Sequence, residues 1–153
     1  MKIKGMIKTN LLTVKILFLL LITSTSPLFS IESLVFDNTF FKSFSTKSSI
    51  QRDIYINKLS GKIIIGRGTI LTVLERENYK KNYRIEVLAS EASGNRLKFL
   101  YYVYFDNKNI IDLLNEDASF EFKGQVMGIT SANTQRSEFI LDIILMDGST
   151  IID

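Results

Sequence analysis

The sequence predicts a mainly β domain of five strands, with a short helix between the third and fourth and another helix ahead of the first. Three observations predict it. Apolar residues alternate with polar ones in successive runs from Gly61 onward, as half-buried strands require. The first run is long and carries Gly66 and Gly68 in its middle, where a strand can bend or bulge. A chain of 153 residues with 46% hydrophobic side chains suffices for one domain with a single core.

The elements follow in order. Residues 1–30 read as a secretory signal. Lys2, Lys4, Lys8 and Lys15 accompany an apolar run from Ile16 to Ile22, followed by small and polar residues with cleavage expected after Ser30. The alternative is an uncleaved anchor, but the run falls short of the roughly 20 apolar residues a membrane span needs. These four lysines are the leader's share of the 19 basic side chains, leaving 15 against 16 acidic ones and a net charge of −1 for residues 31–153. The overall charge of +3 therefore belongs to the leader.

Residues 31–60 are expected to form an N-terminal arm and a short helix. The arm, 31–47, shows no sustained period and can dock through Phe40, Phe41 and Phe44. The helix, about 49–59, has a capping-box signature in Ser48 and Gln51 and a stop at Gly61. The strand domain then occupies 61–153. Its first strand is expected at 62–76, and the turn Glu77–Lys81 leads to the second at 82–90, with Tyr83, Ile85 and Val87 on one face. Ser93-Gly94-Asn95 makes the next turn. The third strand, 96–105, sets Leu97, Phe99, Tyr101, Val103 and Phe105 against Lys98, Leu100, Tyr102 and Tyr104. A plug-like helix is expected at 108–115, then strands at 119–130 and 137–146. Asp147-Gly148 signals a tight turn, with Ser149 to Ile152 returning as a short strand.

Strand, strand, strand, helix, strand, strand is the order of the OB-fold, a small five-stranded barrel. Gly61-Lys62-Ile63-Ile64-Ile65-Gly66-Arg67-Gly68-Thr69-Ile70 resembles the opening strand of bacterial anticodon-binding-like OB domains, and Phe120-Glu121-Phe122-Lys123-Gly124-Gln125-Val126 their fourth strand. The helix before Gly61 resembles an N-terminal addition of small exported OB-fold proteins. Another small antiparallel barrel or a sandwich is the alternative. The resemblance implies a ligand surface on strands 2 and 3 and their flanking loops, and no catalytic motif accompanies it. It does not extend to the Asp, Arg and Glu set of exported OB-barrel nucleases.

Without Cys or His, the chain lacks Cys–His and Ser–His–Asp catalysis, thiolate or imidazole zinc sites, disulfides and a lipidated cysteine. Gly66-Arg67-Gly68 lacks the third glycine and following helix of a phosphate loop. The acidic residues Asp112, Glu116, Asp117 and Asp142 show no spacing that converges on a metal, so neither a metal nor a cofactor is expected. The ligand-binding candidates are Tyr102 and Tyr104 as stacking platforms with Arg84 and Lys98 nearby, the turn cations Lys80 and Lys81, Arg136 in the loop before the fifth strand, and Arg67 between its glycines. Each has a plainer reading: the tyrosines as ordinary strand formers, the cations as solvated turn charges, Arg67 as the mark of a bulge.

The resulting expectation is a non-enzymatic exported binding module of the cell envelope, in the periplasm or attached nearby, whose ligand is a protein or envelope component. Its alternative is a single-stranded nucleic-acid binder on the same face, disfavoured by the negative mature charge. A small metal-dependent hydrolase ranks third.

Overall fold

A computed structural model of the chain describes residues 33–133 and 139–151. Strand β1 (Ser33–Phe36) is followed by helices α1 (Asn38–Ser45) and α2 (Ser49–Asn57). Then come β2 (Ile63–Asn78), β3 (Lys81–Leu88), a 3-10 turn (Ser90–Asn95), β4 (Leu97–Phe105), α3 (Lys108–Ile111), β5 (Ser119–Asn133) and β6 (Phe139–Thr150). The leader, the β5–β6 connection and the chain end lie outside the described residues.

Five strands close into a ring, β2-β3-β4-β6-β5 and back to β2. Only β4 and β6 run parallel within it, with Leu97 opposite Phe139 and Val103 opposite Leu145. This order, with a helix between its third and fourth strands, is that of an OB-fold-like barrel. Closure rests on β2. Its first half pairs with β5, from Ile63–Gln125 to Thr69–Ser119, and its second half with β3 from Thr69–Leu88 onward. At this exchange of partners Gly68 passes against the Leu88 carbonyl, and a Cβ there would meet that oxygen at 2.2 Å. A side chain has no room at the switch point.

Alternation delivers the core. Ile64, Ile70, Ile85, Val87, Leu97, Phe99, Tyr101, Val103, Phe105, Phe122, Val126, Leu141, Ile143 and Leu145 all point inward and are buried. Helix α3 packs Ile110, Ile111 and Leu114 against this core beyond the C-terminal end of β4. It is shorter than the expected 108–115 helix, and Leu113 is exposed.

The segment expected as an irregular arm is regular. Ser33–Phe36 adds a sixth strand, parallel to the first half of β2 on the edge opposite β5, ahead of the stretch that pairs with β3. Asp37 then caps α1 by accepting from the Phe40 N–H at 2.8 Å. Phe41 and Phe44 are buried against Phe99, and Phe40 stacks on Phe36 with centroids 3.9 Å apart. From α2, Arg52 donates to the Phe44 and Ser45 carbonyls and lies over the Phe139 ring. The aromatics thus tie α1 and α2 to the barrel. The Ser48/Gln51 capping box forms as the spacing predicts.

The turn expected at Asp147-Gly148 is a bulge inside β6. Lys123 pairs with Ser149 and Gln125 with Met146, so Gly124 faces both Asp147 and Gly148. Asp147 takes a left-handed conformation (φ 52°), and a Cβ on Gly148 would stand 2.7 Å from Val103 Cγ1. The same dipeptide chemistry that makes a hairpin turn makes a bulge when the strand has a partner to follow.

Candidate binding cleft

On the outer face of β3, β4, β6 and β5 lies an open cleft of about 420 Å³, lined by Tyr79, Arg84, Tyr102, Tyr104, Thr130, Asp142 and Ile144. The pleat places these residues. Arg84 pairs with Tyr104, Glu86 with Tyr102, Tyr102 with Ile144, and Asp142 with Thr130, bringing outward side chains from four strands together.

The β2–β3 hairpin supplies one wall. Asn78 pairs with Lys81, so the turn tightens to two residues, Tyr79 and Lys80, with φ of 54° and 60°. Two positive φ angles make a type I′ turn, which ordinarily takes Asn and Gly, and a bulky residue in this conformation costs about 1–2 kcal/mol. The Tyr79 ring meets Tyr104 edge-on, with centroids 5.2 Å apart. That contact closes over Tyr104, which is only 3% exposed.

Charges in the cleft are unequally satisfied. Arg84 bonds Glu86 at 2.5 Å, and its guanidinium lies 5.4 Å from the centroid of Tyr102. Its Nε is buried with no hydrogen-bond acceptor among the described residues. Asp142 is half-buried and has no hydrogen bond or salt bridge among the described residues. Burial raises its carboxyl above the usual aspartate range, and the charge of Lys98 offsets part of that effect. The Tyr102 hydroxyl is also pushed up, first by burial and then by the negative charges of Asp142 and Glu86.

The structure thus brings together Arg84, Tyr102 and Tyr104 of the candidate residues. Lys98 is exposed near the start of β4, four residues before Tyr102, and Lys80 is exposed in the turn. Lys81 is engaged elsewhere: its ammonium sits between Asp106 (2.5 Å) and Asp147 (2.8 Å), binding the start of β3 to the end of β4 and to the β6 bulge. Arg67 pairs with Glu121 across the β2–β5 ladder and lines a separate pocket of about 170 Å³ with Val35, Asp37 and Glu91. Arg136 lies outside the described residues.

Sequence reasoning missed Tyr79, Thr130 and Ile144 as cleft residues and weighed Asp142 only as a metal ligand. Asp142 carries a visible signal, a lone carboxylate between Leu141 and Ile143, but its neighbours come through the parallel β4–β6 pairing, which no local pattern reveals. The carboxylates Asp112, Glu116 and Asp117 are exposed, and none lines the cleft. Among the described residues no helix is long and apolar enough to cross a membrane, and no group of three metal-binding side chains forms.

No family model matches the chain, and no curated protein matches it. Solved structures similar to it at low identity include two with the following matches. One is a Klebsiella pneumoniae protein provisionally named a nucleic acid-binding lipoprotein, 13% identical over 78% of this chain and 92% of that one, with a TM-score of 0.47. The other is a Leishmania major protein provisionally named an aspartyl-tRNA synthetase, 10% identical over 85% of this chain and 22% of that one, with a TM-score of 0.35.

Proposed function

We propose that the chain is a non-enzymatic binding module of the cell envelope, exported by its leader, that recognises a protein or envelope component through the tyrosine-lined cleft. The observation that carries this reading is the state of the cleft's cation. Binding of single-stranded nucleic acid couples base stacking to phosphate neutralisation by free Lys and Arg. Here the aromatic surface is present, but the guanidinium beside it already faces Glu86, and the carboxylate of Asp142 lies in the same cleft. A passing phosphate backbone would meet that carboxylate. The mature net charge of −1 acts in the same direction.

The strained Tyr79-Lys80 turn supports a binding role. Strain of this kind persists where surrounding structure over-determines it, and it concentrates at ligand sites. The contact with Tyr104 and the pairing of Asn78 with Lys81 flank the turn.

The test is fluorescence anisotropy of a labelled single-stranded oligonucleotide titrated with the purified protein at low salt, repeated at higher salt. No saturable binding is expected at either. Saturable binding that falls steeply with salt and is lost in Tyr102→Ala would make the nucleic-acid reading the correct one.

A further inference from the structure

We infer that the cleft takes a cationic side chain, the ammonium of a lysine or the guanidinium of an arginine, presented by a partner polypeptide. This rests on the reading of the cleft as a binding site and assigns the chemistry of what enters it.

The four strands place three kinds of group around one space. Tyr79 and Tyr102 contribute aromatic surface, backed by the Tyr104 ring that Tyr79 covers, and Ile144 contributes an apolar wall. Asp142 contributes a carboxylate with no donor bound to it among the described residues. Thr130 adds a hydroxyl on the strand paired with Asp142. A half-buried carboxylate left without a protein donor is poorly satisfied, and a ligand that donates to it gains that bond. Aromatic faces attract cations, most strongly where water is excluded. Arg84 shows the chemistry already at work, its guanidinium over Tyr102 and its charge answered by Glu86.

The other charged groups around the cleft are consistent with this assignment. Arg84 and Glu86 neutralise one another. Lys98, exposed on β4, is close enough to influence Asp142 but forms no ion pair with it among the described residues. Asp142 is thus the carboxylate left to meet a ligand's charge. A long side chain with a charged tip and an apolar stem fits a cleft of about 420 Å³ with a carboxylate and aromatic walls. A phosphate, a sulfate or a carboxylate ligand would oppose Asp142.

The test is a titration of the isotopically labelled protein followed by amide chemical shifts, with agmatine and n-butylammonium as cationic probes and n-butylurea as their neutral counterpart. Both cations are expected to give saturating shifts centred on Tyr79, Tyr102, Tyr104 and Asp142, with n-butylurea giving none at equal concentration. Asp142→Asn is expected to weaken cation binding at least tenfold while the fold, read from the remaining amide shifts, is retained. A second variant, Tyr102→Leu, weakens binding several-fold with Asp142 in place. Equal binding of n-butylurea, no saturating shift in the cleft, or unchanged affinity in Asp142→Asn would each overturn the assignment. Those results leave the binding reading standing, whereas saturable oligonucleotide binding overturns that reading itself.

Discussion

Asp142 and Tyr104 show at the scale of single residues what the sequence could and could not disclose. Alternation alone told Tyr101 from Tyr102: Tyr101 is wholly buried and Tyr102 is on the outer face. It also put Tyr104 outside, and so it is, yet the Tyr79 ring covers it. That cover depends on a two-residue turn, and the sequence suggested a longer one because neither Tyr nor Lys favours positive φ. For Asp142 the pH consequence has a definite sign. Its carboxyl is raised in the folded protein by burial, so the folded state holds its proton more tightly than the unfolded state does. The associated stability is fully present below the ordinary aspartate range and is lost as pH rises through the folded value. Asp142→Asn removes this penalty. Thermal denaturation should show a Tm above the parent at neutral pH, the gain shrinking to nothing in strongly acidic buffer. A variant more stable yet poorer at binding is the pattern of a residue retained for its ligand.

Elements carry the next lesson. The strands of the barrel were legible because each buries one face, and a period of two survives in sequence. The strand β1 and helix α1 were not. Ser33-Leu34-Val35-Phe36 is too short to show a period, and the Phe40-Phe41 pair hides a helix whose start depends on Asp37. The Asp147-Gly148 bulge read as a turn because the local chemistry of the two is shared. Its stability draws on Lys81, whose ammonium is raised above the ordinary lysine value by its bonds to Asp106 and Asp147. A raised lysine contributes stability that is complete below its unfolded pKa and lost as pH climbs through the folded one. Lys81→Met should therefore lower stability at neutral pH by about 1 kcal/mol, since the two carboxylates are largely exposed. The difference from the parent should fade in strongly alkaline buffer, as denaturant titrations at both pH values would show. The hairpin turn that Lys81 closes gives a separate prediction. Replacing Tyr79-Lys80 with Asn-Gly relieves the left-handed strain at the expense of the contact with Tyr104. Chemical denaturation should find the variant at least as stable as the parent, and the agmatine titration should find it several-fold weaker in binding.

For the whole molecule, the barrel's order was legible but its binding chemistry was not. Five strands and an intervening helix follow from hydrophobic pattern and turn residues, and ring closure follows from the glycines of a long first strand. The cleft instead joins residues from Tyr79 to Ile144 through the β4–β6 pairing, so its charge balance appears only when the strands are assembled. The proposed reading rests on that balance: the candidate cations Arg67, Lys81 and Arg84 each face a carboxylate, while Lys80 and Lys98 are exposed. The most direct measurement is photo-crosslinking from position 102 in living native cells, using a benzoylphenylalanine in place of Tyr102 and the same residue at exposed Ile50 as the control. The account predicts a discrete polypeptide or envelope adduct from position 102 that disappears with Asp142→Asn and is absent from position 50. An adduct consisting of nucleic acid, or one of equal yield from both positions, would contradict it.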